Sequence, residues 1–181
     1  MERSQKYARI ERERRFILDQ FPTEASAVLV RHITDRYIEQ TRLRLRQQVD
    51  SGGAATFKLT QKIPSQAAGA QQGFLTTMYL DAEELRVFAR LPAKQIQKTR
   101  YSVPPFGIDV FEGSLAGLIL AEAEFESAAE AESLTLPPFI VREVTEDARF
   151  TGGRLAHASL HEVQSWLAEY GLELSVPSIG Q

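Results

Sequence analysis

Charged side chains recur at every second position in five segments of this chain. In an extended strand, side chains two residues apart point to the same face, so each segment predicts a strand with one charged face. The alternating charges are Glu11, Glu13 and Arg15; Arg42, Arg44 and Arg46; Lys58 and Lys62, with the polar Thr60 between them; Lys98 and Arg100; and Glu122, Glu124 and Glu126. A single charged strand is often a solvated sheet edge, but several strands of one charge sign favour a closed barrel with a charged interior.

The predicted fold is therefore α+β: a closed antiparallel β-barrel, or tunnel, of about eight strands with a charged lumen, and with helices packed outside against its apolar faces. Hydrophobic runs and turn residues place the strands at about 8–18, 33–49, 55–63, 74–80, 96–103, 106–112, 119–125 and 140–144. A short helix or turn is expected within 24–32, and a loop over 65–73.

Three helices are predicted from their N-terminal caps. Asp81, Ser127 and Ser159 are each followed three positions later by Glu, the spacing of a capping box. The last of these helices is expected at about 159–170, closed by Gly171. Its apolar face, which includes Trp166, either packs against the barrel or plugs one mouth of the tunnel.

Composition limits the class of protein. With 181 residues and 43% hydrophobic content, the chain fits a single domain over 1–181. The net charge of −3 offers no general attraction for nucleic acid or for an anionic membrane, so neither is an expected partner. The N-terminal segment lacks the apolar core of a signal peptide, and no run is long enough to span a membrane, which predicts a cytoplasmic protein. Monomer and homodimer both remain open.

The available ligand types favour a hard metal ion. The chain has no cysteine, so any metal must be held by oxygen or by histidine, and the scattered His32, His157 and His161 are predicted not to be ligands. Glutamates in a charged lumen would bind Mg²⁺ or Mn²⁺, while arginine and lysine would hold phosphate oxygens. The alternation therefore indicates a polyanionic phosphate substrate bound together with a divalent metal, which suffices for phosphoryl transfer.

Seven short motifs lie in a fixed order along the chain. They are Glu11-x-Glu13-x-Arg15 and the segments 43–48, 59–62, 98–101, 108–111, 121–125 and 144–150. Their order and spacing resemble those of the CYTH domain, also called the triphosphate tunnel metalloenzyme superfamily, whose N-terminal motif is Glu-x-Glu-x-Lys. The resemblance extends over roughly residues 8–155 and is to the short bacterial members.

The resemblance implies a metal-dependent triphosphatase that hydrolyses a small-molecule triphosphate, most simply inorganic triphosphate, by a metal-activated water inside the tunnel. It implies phosphate binding by Arg44, Arg46, Lys62, Lys98 and Arg100, metal binding by Glu11, Glu13, Glu122, Glu124 and Asp147, and catalytic roles for Glu11, Glu13 and Arg15. Asp109 is a weaker candidate, and Arg42 lies either at the tunnel mouth or on the surface. The alternatives within the superfamily are adenylate cyclase and thiamine or nucleoside triphosphatase.

Two departures from the family pattern favour a further alternative, a noncatalytic module that binds polyphosphate or nucleotides. Arg15 stands where the family has lysine, and its planar guanidinium does not readily lose a proton. Leu75 and Thr77 stand where members often carry alternating glutamates, so one set of metal-binding carboxylates is missing.

Overall fold

The computed structural model describes residues 7–64 and 72–174, whose strands form a barrel. The strands are β1 (Arg9–Leu18), β2 (Leu29–Ile38), β3 (Leu43–Asp50), β4 (Ala55–Pro64), β5 (Gln72–Leu80), β6 (Ala93–Val103), β7 (Phe106–Phe111), β8 (Ile119–Glu124) and β9 (Arg142–Glu143). Their order is β5-β4-β3-β2-β6-β7-β8-β1-β9, and an antiparallel pairing of β5 with β1 closes the first eight strands. The predicted closed antiparallel barrel of about eight strands is confirmed.

Three of the four helices in the described part of the chain begin at the predicted caps, and the short third helix was not predicted. The helices are α1 (Ala82–Phe88), α2 (Ala128–Glu132), α3 (Gly152–Leu155) and α4 (Leu160–Ala168), with 3-10 turns at Gly113–Leu115 and Ala148–Phe150. A capping box opens α1 at Asp81 and α4 at Ser159, and the Ser127 hydroxyl accepts a hydrogen bond from the Glu130 amide at the start of α2. Gly171, just beyond α4, has a φ of +70°, the left-handed conformation that commonly ends a helix.

The prediction of one extended segment over 33–49 is wrong, because the chain reverses within it. Gln40 has a φ of 60°, and the Thr41 hydroxyl donates to the Ile38 carbonyl at 2.9 Å and accepts from the Leu43 amide at 3.0 Å. The resulting turn pairs β2 with β3, so that residue 35 lies opposite residue 46. Within 24–32 the chain forms a turn and then enters β2.

The predicted loop over 65–73 lies outside the described residues, except for 72 and 73, which belong to β5.

Apolar residues on the outer face of the barrel pack into two clusters. The first covers β1, β7 and β8 and contains Phe16, Leu18, Phe106, Ile108, Ile119, Ala121, Ala123 and Phe125. The second joins Ile38, Leu45 and Leu59 to α1 through Leu85 and Phe88. Both clusters agree with the expectation that apolar strand faces pack outward against helices and loops.

A third apolar cluster lies at one end of the barrel interior, so the charged side chains line only part of the lumen. Ile17, Ile96, Phe111 and Leu120 continue the alternation of the lumen-facing residues but are apolar. They pack against residues 148–155 and α4, here called the end plug, which contributes Phe150, Leu155, Val163 and Leu167. Trp166 packs edge-on against Phe150, with 6.2 Å between ring centroids. The last helix therefore both packs against the barrel and supports the closure of one end.

Within the described ranges, no helix combines the length and the apolar character that crossing a membrane requires.

Candidate active site in the barrel interior

A cavity of about 290 Å³ lies inside the barrel, between the charged part of the lumen and the end plug. The predicted site residues that line it are Glu11, Glu13, Arg15, Arg44, Arg46, Lys62, Lys98, Arg100, Glu122 and Glu124. Arg42 also lines it and is exposed, which places this residue at the mouth. Strand alternation therefore brings together every predicted site residue except Asp147 and the weaker candidate Asp109.

A buried carboxylate supports the two arginines of β3. Asp35 on β2 is 0% exposed, and it accepts hydrogen bonds from Nε and Nη2 of Arg46, both at 2.7 Å. Nε of Arg44 lies 3.7 Å from the same carboxylate. Burial alone would raise the pKa of Asp35, but the charge and hydrogen bonds of Arg46, together with the charge of Arg44, hold it below its usual range. Asp35 is thus an ionised group beneath the arginine pair.

A second buried carboxylate has the same relation to the cations of β6. Asp109 on β7 is 1% exposed and is not among the residues that line the cavity. It accepts from Lys98 at 2.5 Å and from Nε and Nη2 of Arg100, both at 2.6 Å. Burial lowers the pKa of Lys98 more than Asp109 raises it. Asp109, the weaker metal candidate, is therefore a support for two cavity cations.

Arg15 joins the glutamates of neighbouring strands. Its guanidinium donates to Glu13 and lies 3.4 Å from Glu122, while the side chain itself is only 3% exposed. Its Nη1 is buried without a hydrogen-bond partner in the described part of the chain. Burial lowers the pKa of Arg15, but the charges of Glu122 and Glu13 together raise it by more, so the pKa lies above its ordinary value. The family's lysine position is thus occupied by a fixed cation.

The remaining predicted residues form ion pairs around the cavity. Lys62 lies 2.6 Å from Glu11 and 2.8 Å from Glu13 and is 43% exposed. Glu122 accepts from Arg100 at 2.5 Å, and although burial raises its pKa, the charges of Arg100, Lys98 and Arg15 bring it well below the usual range. Glu124 is more exposed and lies 3.4 Å from Arg9.

The glutamates are therefore paired with cations. Among residues 7–64 and 72–174, no three acidic or histidine side chains come close enough together to form a metal site as they stand. Oxygen ligands of the kind that Mg²⁺ and Mn²⁺ prefer nevertheless face the same cavity from two adjacent strands, β1 and β8. Release of their cations to a bound anion would make these oxygens available.

Asp147 does not line the cavity. It caps the turn at 148–150, accepts from Arg149 at 2.9 Å and 2.7 Å, and accepts from the Tyr170 hydroxyl at 2.9 Å. His32 contacts Thr99 and His157 contacts the Gly153 carbonyl, both at 2.9 Å, and neither histidine lines the cavity. Leu75 lines the cavity and Thr77 lies 3.1 Å from Thr60, so the positions that lack glutamate do face the lumen.

Several residues that line the cavity or contact its arginines were not predicted. Asp35 was missed because its pairing with Arg46 depends on the turn that the prediction of a continuous segment overlooked. The cavity is also lined by Tyr37, Phe150 and Gly152. Tyr37 on β2 meets the other two only because the end plug packs into the barrel. An acidic residue two positions from a tyrosine in an alternating strand was the one available signal for Asp35.

Comparison with known proteins gives three informative similarities, although no family model matches the chain. The chain is 33% identical over 152 residues to the inorganic triphosphatase of Nitrosomonas europaea, covering 80% of this chain and 95% of the relative. Its structure is similar to a crystal structure of the inorganic triphosphatase NE1496, with a TM-score of 0.53 and 26% identity over 82% of this chain and 95% of that one. A second crystal structure, of the hypothetical protein NE1496, has a TM-score of 0.54 and 28% identity, covering 82% and 99% of the two chains.

Proposed function

Because this chain belongs to the CYTH, or triphosphate tunnel metalloenzyme, superfamily and is a triphosphate hydrolase, we propose that it hydrolyses inorganic triphosphate with Mg²⁺ or Mn²⁺. The observation that carries this proposal is the set of cations around one cavity: Arg44, Arg46, Lys62, Lys98 and Arg100. Arginine and lysine in this arrangement suit a chain of phosphate groups, because each guanidinium can donate two parallel hydrogen bonds to phosphate oxygens.

The size and closure of the cavity favour a compact substrate. Its volume of about 290 Å³ is at the lower end for small-molecule sites, which typically run from about 300 to 1,000 Å³. Phe111, Leu120, Phe150 and Leu155 line its inner end and offer no hydrogen bonds. A triphosphate without an attached nucleoside or thiamine fits this space better than the larger alternatives do.

The residues present fit a hard divalent cation. Glu11 and Glu13 on β1 and Glu122 and Glu124 on β8 would hold the metal through carboxylate oxygens. When bound, the metal neutralises charge on the transferred phosphoryl group and lowers the pKa of a water. Asp147 is not part of this proposed set, because Arg149 and Tyr170 engage its carboxylate away from the cavity.

The chain's own residues would bind and orient the triphosphate. Asp35 and Asp109 hold the guanidinium groups of Arg46 and Arg100 so that their unused N–H groups remain for phosphate oxygens. Arg15 is held by Glu13 and Glu122, and its unpartnered Nη1 is available to a substrate oxygen. Phosphate binding would draw Lys62 away from Glu11 and Glu13 and so expose these carboxylates. Because positioning and charge neutralisation dominate phosphoryl transfer, these contacts account for the chemistry expected of the site.

Phosphate release from inorganic triphosphate tests the proposal. With Mg²⁺ or Mn²⁺ present, we expect Glu13→Ala and Arg46→Ala each to lose at least about 100-fold in turnover, the usual scale for removing one electrostatic contact to a reacting group. Arg12→Ala is the matched control. Arg12 also lies on β1, but its side chain points away from the lumen and donates to the Glu126 carbonyl. Equal activity in all three variants would contradict the proposed site.

A substrate panel separates the alternatives. Inorganic triphosphate should be hydrolysed faster than ATP or thiamine triphosphate under each metal. Faster release of phosphate from ATP, or formation of cyclic AMP, would contradict the choice of substrate. Tight binding of triphosphate without turnover under every metal would select the noncatalytic binding module.

A further inference from the structure

Asp35 is a buried acid that does not itself line the cavity. It forms ion pairs with Arg46 and Arg44, which do. Its side chain is 1% exposed, whereas those of Arg46 and Arg44 are 11% and 26% exposed and line the cavity. The hydrogen bonds from Arg46 Nε and Nη2 occupy one edge of the guanidinium plane. The other edge, with Nη1, is thereby left for a ligand.

A buried ion pair of this kind is poor evidence for a role in stability. Removing two charges from water costs free energy that their attraction repays only with good geometry, and apolar replacements are often as stable or more so. A carboxylate placed beneath a phosphate-binding wall also reduces the positive charge that attracts the phosphate. Asp35 thus weakens the attraction of the cavity for phosphate, while its bidentate hydrogen bond orients the guanidinium group of Arg46.

We propose that Asp35 is a positioning residue for triphosphate hydrolysis, which acts through Arg46 by fixing the direction of its guanidinium group in the cavity. This inference rests on the proposed function. Geometry of this kind affects the rate more than ground-state binding, since a displacement of about 1 Å can cost about 100-fold in rate.

The test replaces one carboxylate oxygen of Asp35 with an amide NH2 group. In Asp35→Asn the side chain keeps its shape but cannot accept from both Nε and Nη2 of a charged arginine. We expect kcat to fall about 10- to 100-fold while KM changes by less than about threefold. The matched control is Glu143→Gln, which makes the same change at a carboxylate bound by Arg14 at 2.9 Å and 2.6 Å on the outer side of β1. This control should retain activity within about twofold.

A double substitution distinguishes positioning from a structural role. If Asp35 acts through Arg46, then Asp35→Asn should reduce kcat by less than about threefold in an Arg46→Ala background. A purely structural role would instead lower the melting temperature and the folded fraction and would give the same loss in both backgrounds. That result, or a rise in KM with unchanged kcat, would overturn the inference.

A measurement without turnover keeps the two proposals separate. The Nε–H signal of Arg46, followed by NMR in the free protein, should exchange faster with water in Asp35→Asn and stay unchanged in Glu143→Gln. If the wild-type protein releases no phosphate, the proposed function fails, and this signal still decides whether Asp35 orients Arg46. An unchanged Arg46 signal in Asp35→Asn would overturn the positioning role.

Discussion

Gly152→Ala should destabilise the protein because the end plug touches the barrel wall at this glycine. A Cβ atom at Gly152 would lie 2.0 Å from the hydroxyl oxygen and 3.0 Å from Cζ of Tyr37. Tyr37 cannot move freely, since its hydroxyl lies beside the Arg44 guanidinium and its ring packs against the apolar cluster of the end plug. Overpacking of a closed site costs about 1–3 kcal/mol, which exceeds the gain of about 0.5–1 kcal/mol from replacing glycine in a helix.

The neighbouring glycine supplies the control. A Cβ at Gly153 would lie 3.8 Å from Cδ1 and Cε1 of Tyr37, an ordinary contact, so Gly153→Ala should leave stability unchanged or slightly raise it. For a chain of this length, each kcal/mol shifts the melting temperature by about 2–4 °C, so thermal denaturation should resolve the two variants.

The Tyr37 hydroxyl is the atom that decides the cost at Gly152. Tyr37→Phe removes the oxygen at 2.0 Å and leaves Cζ at 3.0 Å, so the loss caused by Gly152→Ala should shrink by more than half in that background. Equal melting temperatures for Gly152→Ala and Gly153→Ala, or an undiminished loss in Tyr37→Phe, would show that Gly152 is not in close contact with the Tyr37 hydroxyl.

Two further predictions concern pH and packing. The pKa of Asp35 is lowered in the folded state, so its contribution to stability is present above about pH 4 and is lost as the pH falls through the folded value. Between about pH 4 and 2, the unfolding free energy of the wild type should therefore fall more steeply than that of Asp35→Asn, by up to about 1.4 kcal/mol per pH unit, and parallel curves from urea titrations would contradict this. Phe150→Ala removes a ring that is 1% exposed and should cost about 3–5 kcal/mol in urea unfolding, whereas Leu136→Ala, at a side chain 42% exposed, should cost far less; similar losses would show that the end plug is not packed as described.

The charged part of the lumen could be predicted because it depends on local sequence. Alternation on β1, β3, β6 and β8 decides which side chains share a face, and this needs no knowledge of the partner strands. The capping pairs at Asp81 and Ser159 were predicted for the same reason, since a cap involves residues only three positions apart.

Asp35 shows why the rest could not be predicted. The pattern over 33–49 is continuous in hydrophobicity, and the reversal depends on a left-handed Gln40 and on hydrogen bonds of Thr41 that the pattern does not reveal. Without this turn the sequence cannot predict the register of β2 against β3, and therefore cannot predict the pairing of Asp35 with Arg46. Asp147 illustrates the converse, because its motif is present but Arg149 and Tyr170 engage the carboxylate away from the cavity.

Local alternation along the chain is enough to predict which faces of the strands are charged, and hence a barrel around a charged interior. How those charges pair depends on the folded barrel, in which Asp35 and Asp109 each form ion pairs with two cations and Arg15 joins two glutamates. The closure of one end by Phe150 and Leu155 also depends on the folded barrel. The physical reason is distance along the chain: alternation is set between nearest neighbours, whereas ion pairs and plug contacts join residues brought together by strand register and packing.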